Sequence, residues 1–168
     1  MIFLTVGTHE PFDRLVQAMD NWCGTVSDHP DVFGQITTPT ETAYRPKNFE
    51  WTDRLTPTEF SKRFSQAALI VSHAGMGTII SALQVGKPVV VMPRRGHLGE
   101  TRNDHQFATA NQLANRAGIC VAEDETQLAT CINQARARVS DANAPQISEF
   151  ADPLFTSALR DFIFATQK

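Results

Sequence analysis

The chain has 168 residues, 42% of them hydrophobic and 20% charged, enough for one cored domain and too few for two full Rossmann-type domains. Its formal net charge is −3 with Lys and Arg scattered along the chain, so no basic face is expected and nucleic acid is excluded as a partner. Three cysteines at wide spacing, Cys23, Cys120 and Cys131, fit neither a disulfide framework nor a zinc site and read as reduced, cytosolic thiols.

The start, MIFLTVG, lacks the basic flank and length of a signal peptide, and no run approaches the ~20 apolar residues of a membrane span. The expectation is a soluble, cytoplasmic polypeptide whose link to any membrane comes through another protein. Residues 1–168 are expected to form a single Rossmann-like α/β domain with a mostly parallel sheet, because short β-branched runs alternate with helical patterns.

Ile2 to Val6 reads as a buried first strand ending at Gly7. Pro11 is expected to open a helix in which Phe12, Leu15, Val16 and Met19 face the sheet. Asp31 to Thr37 is a weaker strand, and a polar loop then leads to a short strand near Phe49 to Trp51. Thr56 or Thr58 caps a helix through Phe64, with Pro57 in its first turn. Leu69 to Val71 is the next strand, Ser72 to Gly77 a turn, and Thr78 to Val85 a helix ended by Gly86.

Pro88 to Met92 is a wholly apolar strand. The loop from Pro93 to Asn103 is dense in charge and glycine, and a helix from Asp104 to Ala117 follows. Ile119 to Ala122 is a strand and Glu125 to Val139 an amphipathic helix. A linker near Asp141 to Pro145 precedes a last helix from Pro153 to Ala165. That helix carries Leu154, Phe155, Leu159, Phe162, Ile163 and Phe164, and either packs back on its own sheet or docks on a partner.

The sharpest local signal is Ser72-His73-Ala74-Gly75-Met76-Gly77-Thr78 between a strand and a helix. Gly75 and Gly77 let the backbone bend and approach a ligand, while Thr78 can cap the helix or bond a phosphate. Orphan amides and the positive end of the helix dipole make such a spot an anion site; alternatively, the glycines only close helix against sheet. No G-x-x-x-x-G-K-[ST] loop is present, and the turn after the first strand, Gly7-Thr8-His9-Glu10-Pro11, is not a dinucleotide fingerprint. A second group, Asn103-Asp104-His105-Gln106, opens the helix after the next strand. Short amides and carboxylates there suit sugar hydroxyls, or serve as ordinary N-caps.

These motifs, with Leu83 to Pro88 and His105-Gln106 in the same order, resemble glycosyltransferase family 28. The segment FLTVGTHEPFDRLVQAMD is similar to the small subunits of split enzymes in that family, found in bacterial exopolysaccharide synthesis and in the eukaryotic dolichol pathway. Pro93-Arg94-Arg95 and Gly99-Glu100 are closest to the bacterial group. The resemblance implies the C-terminal, donor-binding half of a GT-B enzyme. A UDP-sugar would be its substrate, and no cofactor or metal is implied. A separate, membrane-anchored subunit would bind the lipid-linked glycan acceptor.

By the same resemblance, Gly75, Met76, Gly77 and Thr78 would hold the diphosphate with His73 beside it. Gln106 would contact the donor sugar with His105 nearby, and Gly7 and Thr8 would line the cleft facing the partner. Ser81 stands where the family commonly has a ribose-binding Glu. The leaving diphosphate would be stabilised by helix-terminal amides without a metal. The general base is His9 or Glu10, or belongs to the partner. Arg94 and Arg95 would hold an acidic sugar or the partner's surface, or lie on a solvated loop. The expected activity is hexosyl transfer as part of a hetero-complex, with a non-catalytic nucleotide-sugar-binding or regulatory module as the alternative.

Overall fold

The computed structural model describes residues 1–8, 10–28, 30–38, 41–139, 146–148 and 150–165. Six strands form one sheet: β1 (Ile2–Thr5), β2 (Val32–Gln35), β3 (Glu50–Thr52), β4 (Leu69–His73), β5 (Val89–Met92) and β6 (Ile119–Val121). Six α-helices accompany them: α1 (Asp13–Thr25), α2 (Pro57–Gln66), α3 (Met76–Gln84), α4 (His105–Leu113), α5 (Glu125–Val139) and α6 (Pro153–Ala165). The strand order is β3-β2-β1-β4-β5-β6, and every pairing is parallel. The sheet is therefore parallel throughout, with α1, α2, α3 and α4 carrying the crossovers from β1 to β2, β3 to β4, β4 to β5 and β5 to β6.

The central strands β1, β4 and β5 read as nearly unbroken apolar runs because both faces are covered. Ile2, Leu4, Leu69, Val71, Val90 and Met92 pack on the side of α1 and α5, against Leu15, Met19, Leu128 and Ile132. Phe3, Ile70, Val89 and Val91 point the other way, into a cluster with Phe64, Ile79, Leu83 and Ala110 from α2, α3 and α4. The period of two in the strands thus separates two cores on the sheet's two faces.

Local chemistry sets the helix ends. Thr56 and Glu59 form a reciprocal capping box at α2, with Pro57 in the first turn. Helix α1 starts at Asp13, two residues beyond Pro11, and the Asp13 carboxylate accepts the Tyr44 N–H at 3.2 Å. The loop before β3 is tied down by Asp20, 3% exposed, which accepts the Tyr44 hydroxyl at 2.7 Å and the amides of Lys47 and Asn48 at 3.0 and 2.7 Å. Helix α3 begins at Met76, two residues earlier than the sequence suggests, because Gly75 is already extended at φ −91°, ψ 127° and serves as its cap. Helix α4 ends at Leu113, short of Ala117, where Arg116 N–H turns back to Leu113 O and Gly118 takes φ +85°.

The expected linker from Asp141 to Pro145 lies outside the described residues. Residues 146–148 lie beside the end of α3, where Ile147 N–H donates to Leu83 O at 3.1 Å. Helix α6 does not pack back on the sheet. Not one of its residues is buried, and Leu154, Phe155 and Phe162 are 82%, 63% and 68% exposed.

Candidate functional site

The strand order reverses direction between β1 and β4, the two strands at the centre of the sheet. At such a switch point the following helices leave to opposite faces and open a crevice beyond the carboxyl ends. Gly7 and Thr8 follow β1 there, and His73 to Gly75 end β4. A cleft of about 500 Å³ occupies the crevice. On one side it is lined by Thr5, Gly7, Thr8, Gly77, Thr78 and Ser81, and on the other by Gln35, Leu55, Pro57, Phe60, Ser61 and Phe64.

The turn after β4 is built around His73. Ala74 N–H donates to Met92 O at 3.1 Å and Gly75 N–H to His73 O at 2.7 Å, folding the chain sharply into α3. The imidazole lies between two glycines. A Cβ at Gly7 would meet its Cε1 at 3.2 Å, and one at Gly75 would meet its Cδ2 at 2.9 Å. Gly7 also sits at φ +88°, a conformation that side chains resist. Gly77 differs from both, since a Cβ there meets nothing within 4 Å and would project into open space.

Helix α3 presents its amino end to this cleft. Gly75 supplies no capping side chain, and the first amide to find an intrahelical acceptor is Ile79, which donates to Gly75 O at 3.2 Å. The amides of Met76, Gly77 and Thr78 have no acceptor among the described residues. No acidic side chain lies in that first turn to compete with an incoming anion. Thr78 falls in the helix's first turn rather than at its cap. His73 stands beside this end as a neutral ring: burial, and next the Arg94 cation, hold its pKa down to about 4.

The remaining expected residues are distributed as follows. Arg94 is 3% exposed and works as an internal clamp rather than an outward contact. Its guanidinium donates to Val6 O and Glu10 O, each at 2.7 Å, and to the Glu10 carboxylate and Glu100 O, each at 3.3 Å. It lies 5.0 Å from the Phe12 ring centroid. Glu10 is thus paired with Arg94, and His9 lies outside the described residues. Arg95 turns away toward β6, donating to Glu123 O at 3.0 Å, and lines a separate hollow of about 290 Å³.

Gln106 is 7% exposed, and its side-chain oxygen accepts the Arg94 N–H at 3.2 Å. His105 is exposed and its Nδ1 contacts Asn103 Oδ1, while Asp104 accepts the Gly96 N–H at 2.7 Å. The Asn-Asp-His-Gln group therefore organises the loop that precedes α4. Arg14 completes this scaffold through a two-pronged pair with Glu100 at 2.8 Å in each arm. The structure brings Gly7, Thr8, Gly77, Thr78 and Ser81 to one cleft with His73 and Gly75 at its edge, and it sets Arg94, Arg95, His105 and Gln106 apart from that cleft. Gln35, Leu55, Phe60 and Ser61 complete the cleft and were not singled out by the sequence. Gln35 alone carried a signal, as a polar residue closing an otherwise apolar strand.

The model of the glycosyltransferase family 28 C-terminal domain matches residues 1–153. The chain belongs to this family. Among curated proteins, the UDP-N-acetylglucosamine transferase subunit ALG13 of Yarrowia lipolytica is 35% identical over 77 residues, covering 45% of this chain and 34% of that protein. The Mus musculus protein of the same name is 44% identical over 48 residues, 29% of this chain and 4% of its own length. The matches thus span about a third or less of these relatives.

Among solved structures, the NMR structure of ALG13 superposes with a TM-score of 0.59 at 19% identity, covering 97% of this chain and 96% of that one. Acinetobacter baumannii MurG superposes at 0.57 and 20% identity, covering 82% of this chain and 40% of MurG. At these identities the likeness is one of fold. This family 28 chain has the architecture of one Rossmann-like half of a GT-B glycosyltransferase.

Proposed function

We propose that this chain is the donor-binding subunit of a UDP-sugar-dependent hexosyltransferase, active with a membrane-associated partner that carries the acceptor. The observation that carries the reading is the free amino end of α3. Among the described residues the Met76, Gly77 and Thr78 amides have no acceptor, and Gly77, with open space above it, and Thr78 line a cleft at the sheet's switch point. Such an end is suited to a diphosphate, and the family and its UDP-N-acetylglucosamine transferase relatives make UDP-N-acetylglucosamine the first donor to try.

As the glycosidic bond breaks, negative charge grows on the departing diphosphate. Amides already oriented toward it stabilise that charge without reorganising, so the chemistry needs no metal. His73 is neutral and can donate one hydrogen bond to a phosphate oxygen while adding no fixed charge. The acceptor hydroxyl must lose a proton to a base. Glu10 is tethered by Arg94 near the end of β1, and a group on the partner would serve equally well. The exposed apolar face of α6 supports docking on that partner, a lipid-linked glycan being the acceptor and the cytoplasmic face of a membrane the place.

The same cleft supports a second reading, a nucleotide-sugar-binding module without turnover. Ser61 and Ser81 are there, but no carboxylate is among its described lining residues, leaving neutral groups to grip a ribose. Calorimetric titration of the chain with UDP tests the site. We expect saturable 1:1 binding, weakened at least about tenfold (~1.4 kcal/mol) by Gly77→Val, whose side chain would enter the phosphate's space. Unchanged affinity in a folded Gly77→Val chain contradicts the donor site. UDP binding without sugar transfer in the presence of the partner selects the second reading.

A further inference from the structure

We propose that Gln35 selects the nucleobase of the donor, requiring a pyrimidine with a keto oxygen at position 4. Its role rests on the donor reading above and adds the group that discriminates among nucleoside diphosphates.

Gln35 closes β2 and is only 2% exposed, yet it lines the 500 Å³ cleft. Its amide has a fixed orientation, because the side-chain oxygen accepts the Leu55 N–H at 3.3 Å. The NH2 group is left with its two donors. Among the described residues it has no acceptor. These donors open onto the cleft, where a ligand oxygen can take the place of water. A donor pair held in one direction calls for an oxygen acceptor and rejects another NH2 group.

The position in the sheet says which part of a nucleotide arrives there. Gln35 sits two strands from β4, since β1 lies between them. At ~4.8 Å per strand that is about 10 Å from the phosphate end of the cleft, the reach of a nucleoside from its phosphate to the far edge of its base. The wall beside Gln35 is apolar, formed by Leu55, Phe60 and Phe64, and suits the faces of a planar ring. In a pyrimidine, position 4 lies across the ring from the nitrogen that carries the ribose. It is therefore the atom that leads into the far wall. Uracil presents a keto oxygen there and cytosine an amino group, while the oxygen at position 2 is common to both.

The test is a comparison of UDP and CDP binding by calorimetry at pH 8, using the full chain and two variants. Wild type should bind UDP at least about tenfold more tightly than CDP. Gln35→Glu keeps the oxygen that holds Leu55 and replaces the donors by an acceptor. The UDP:CDP ratio should then fall by about 10- to 100-fold, the ratio cancelling repulsion of the shared diphosphate. Gln35→Met, which keeps the length and offers neither donor nor acceptor, should bring the ratio close to one, and it decides the matter if the Glu variant does not fold. UDP binding with an unchanged ratio in a folded variant overturns the role of Gln35 alone. Equal binding of UDP and CDP by wild type does the same, and failure of wild type to bind either overturns the donor site as well.

Discussion

The imidazole of His73 occupies the space that a side chain at position 75 would need, so a neighbouring ring by itself requires the glycine there. Gly77, two residues on, has no such neighbour. The two glycines of one motif are therefore separable by experiment. Gly75→Ala should destabilise the fold by about 1–3 kcal/mol, the usual cost of overfilling a packed site. It should also push the His73 ring out and let its pKa rise from about 4 toward the ordinary 6.5. Gly77→Ala should be neutral or stabilising by up to ~1 kcal/mol, since alanine favours a helix. Urea denaturation and NMR titration of the His73 ring check both halves.

Burial of neutral His73 also gives the fold a pH dependence. Its pKa is near 4 when folded and 6.5 when unfolded, so below pH 6.5 the unfolded chain takes up a proton that the folded chain refuses. Stability is fully present above pH 6.5 and is lost as pH falls toward 4, by ~3 kcal/mol over the window. Because carboxylates titrate nearby, the measurement is the difference between wild type and His73→Asn. Parallel stability curves between pH 4 and 6.5 would show that the ring is not buried in its neutral form.

Arg94 joins the turn after β1 to the loop after β5 through four acceptors. Arg94→Met removes a buried cation and leaves the carbonyls of Val6 and Glu10 without their donor, at a cost of about 3 kcal/mol. Glu10→Gln alters only a half-exposed ion pair and should cost under ~1 kcal/mol. Chemical denaturation of the two variants should show this inequality, and equal losses would mean that the clamp acts through the carboxylate alone.

Much of this architecture is legible in the sequence for a physical reason. A doubly covered parallel strand must be apolar on both faces, so Ile2 to Val6, Leu69 to Val71 and Pro88 to Met92 announce themselves, and Pro57 beside Thr56 and Thr58 marks a helix start. The turn at Gly75 was legible as a close approach, yet its cause was not, because His73's ring meets Gly75 through side-chain placement that spacing does not encode. In the sequence Arg94 reads as a contact to a ligand or partner or as solvated on a charged loop, and Gln106 as a contact to the donor sugar or an ordinary helix-start residue. They turn inward because the carbonyls at the end of β1 and the Arg94 amide need partners. Gln35 and Leu55 come from strands and turns far apart in the chain, and only the sheet order β3-β2-β1-β4 brings them to the site.

Helix α6 offers a contrast with the core. Leu154→Asp and Leu159→Asp change exposed positions and should leave unfolding free energy within about 0.5 kcal/mol of wild type. Both should abolish co-purification with the acceptor-binding partner, where the apolar face is covered. A large loss of stability in the isolated chain would mean that α6 packs on its own domain in solution.

The donor site is tested most directly by following backbone amides of the isotope-labelled chain by NMR as UDP is added. The Met76, Gly77 and Thr78 amides should move first and furthest, saturating together with Gly7, and uridine lacking phosphate should leave them in place. Shifts confined to another part of the surface, with those three amides unmoved at saturation, would contradict a diphosphate held at the amino end of α3.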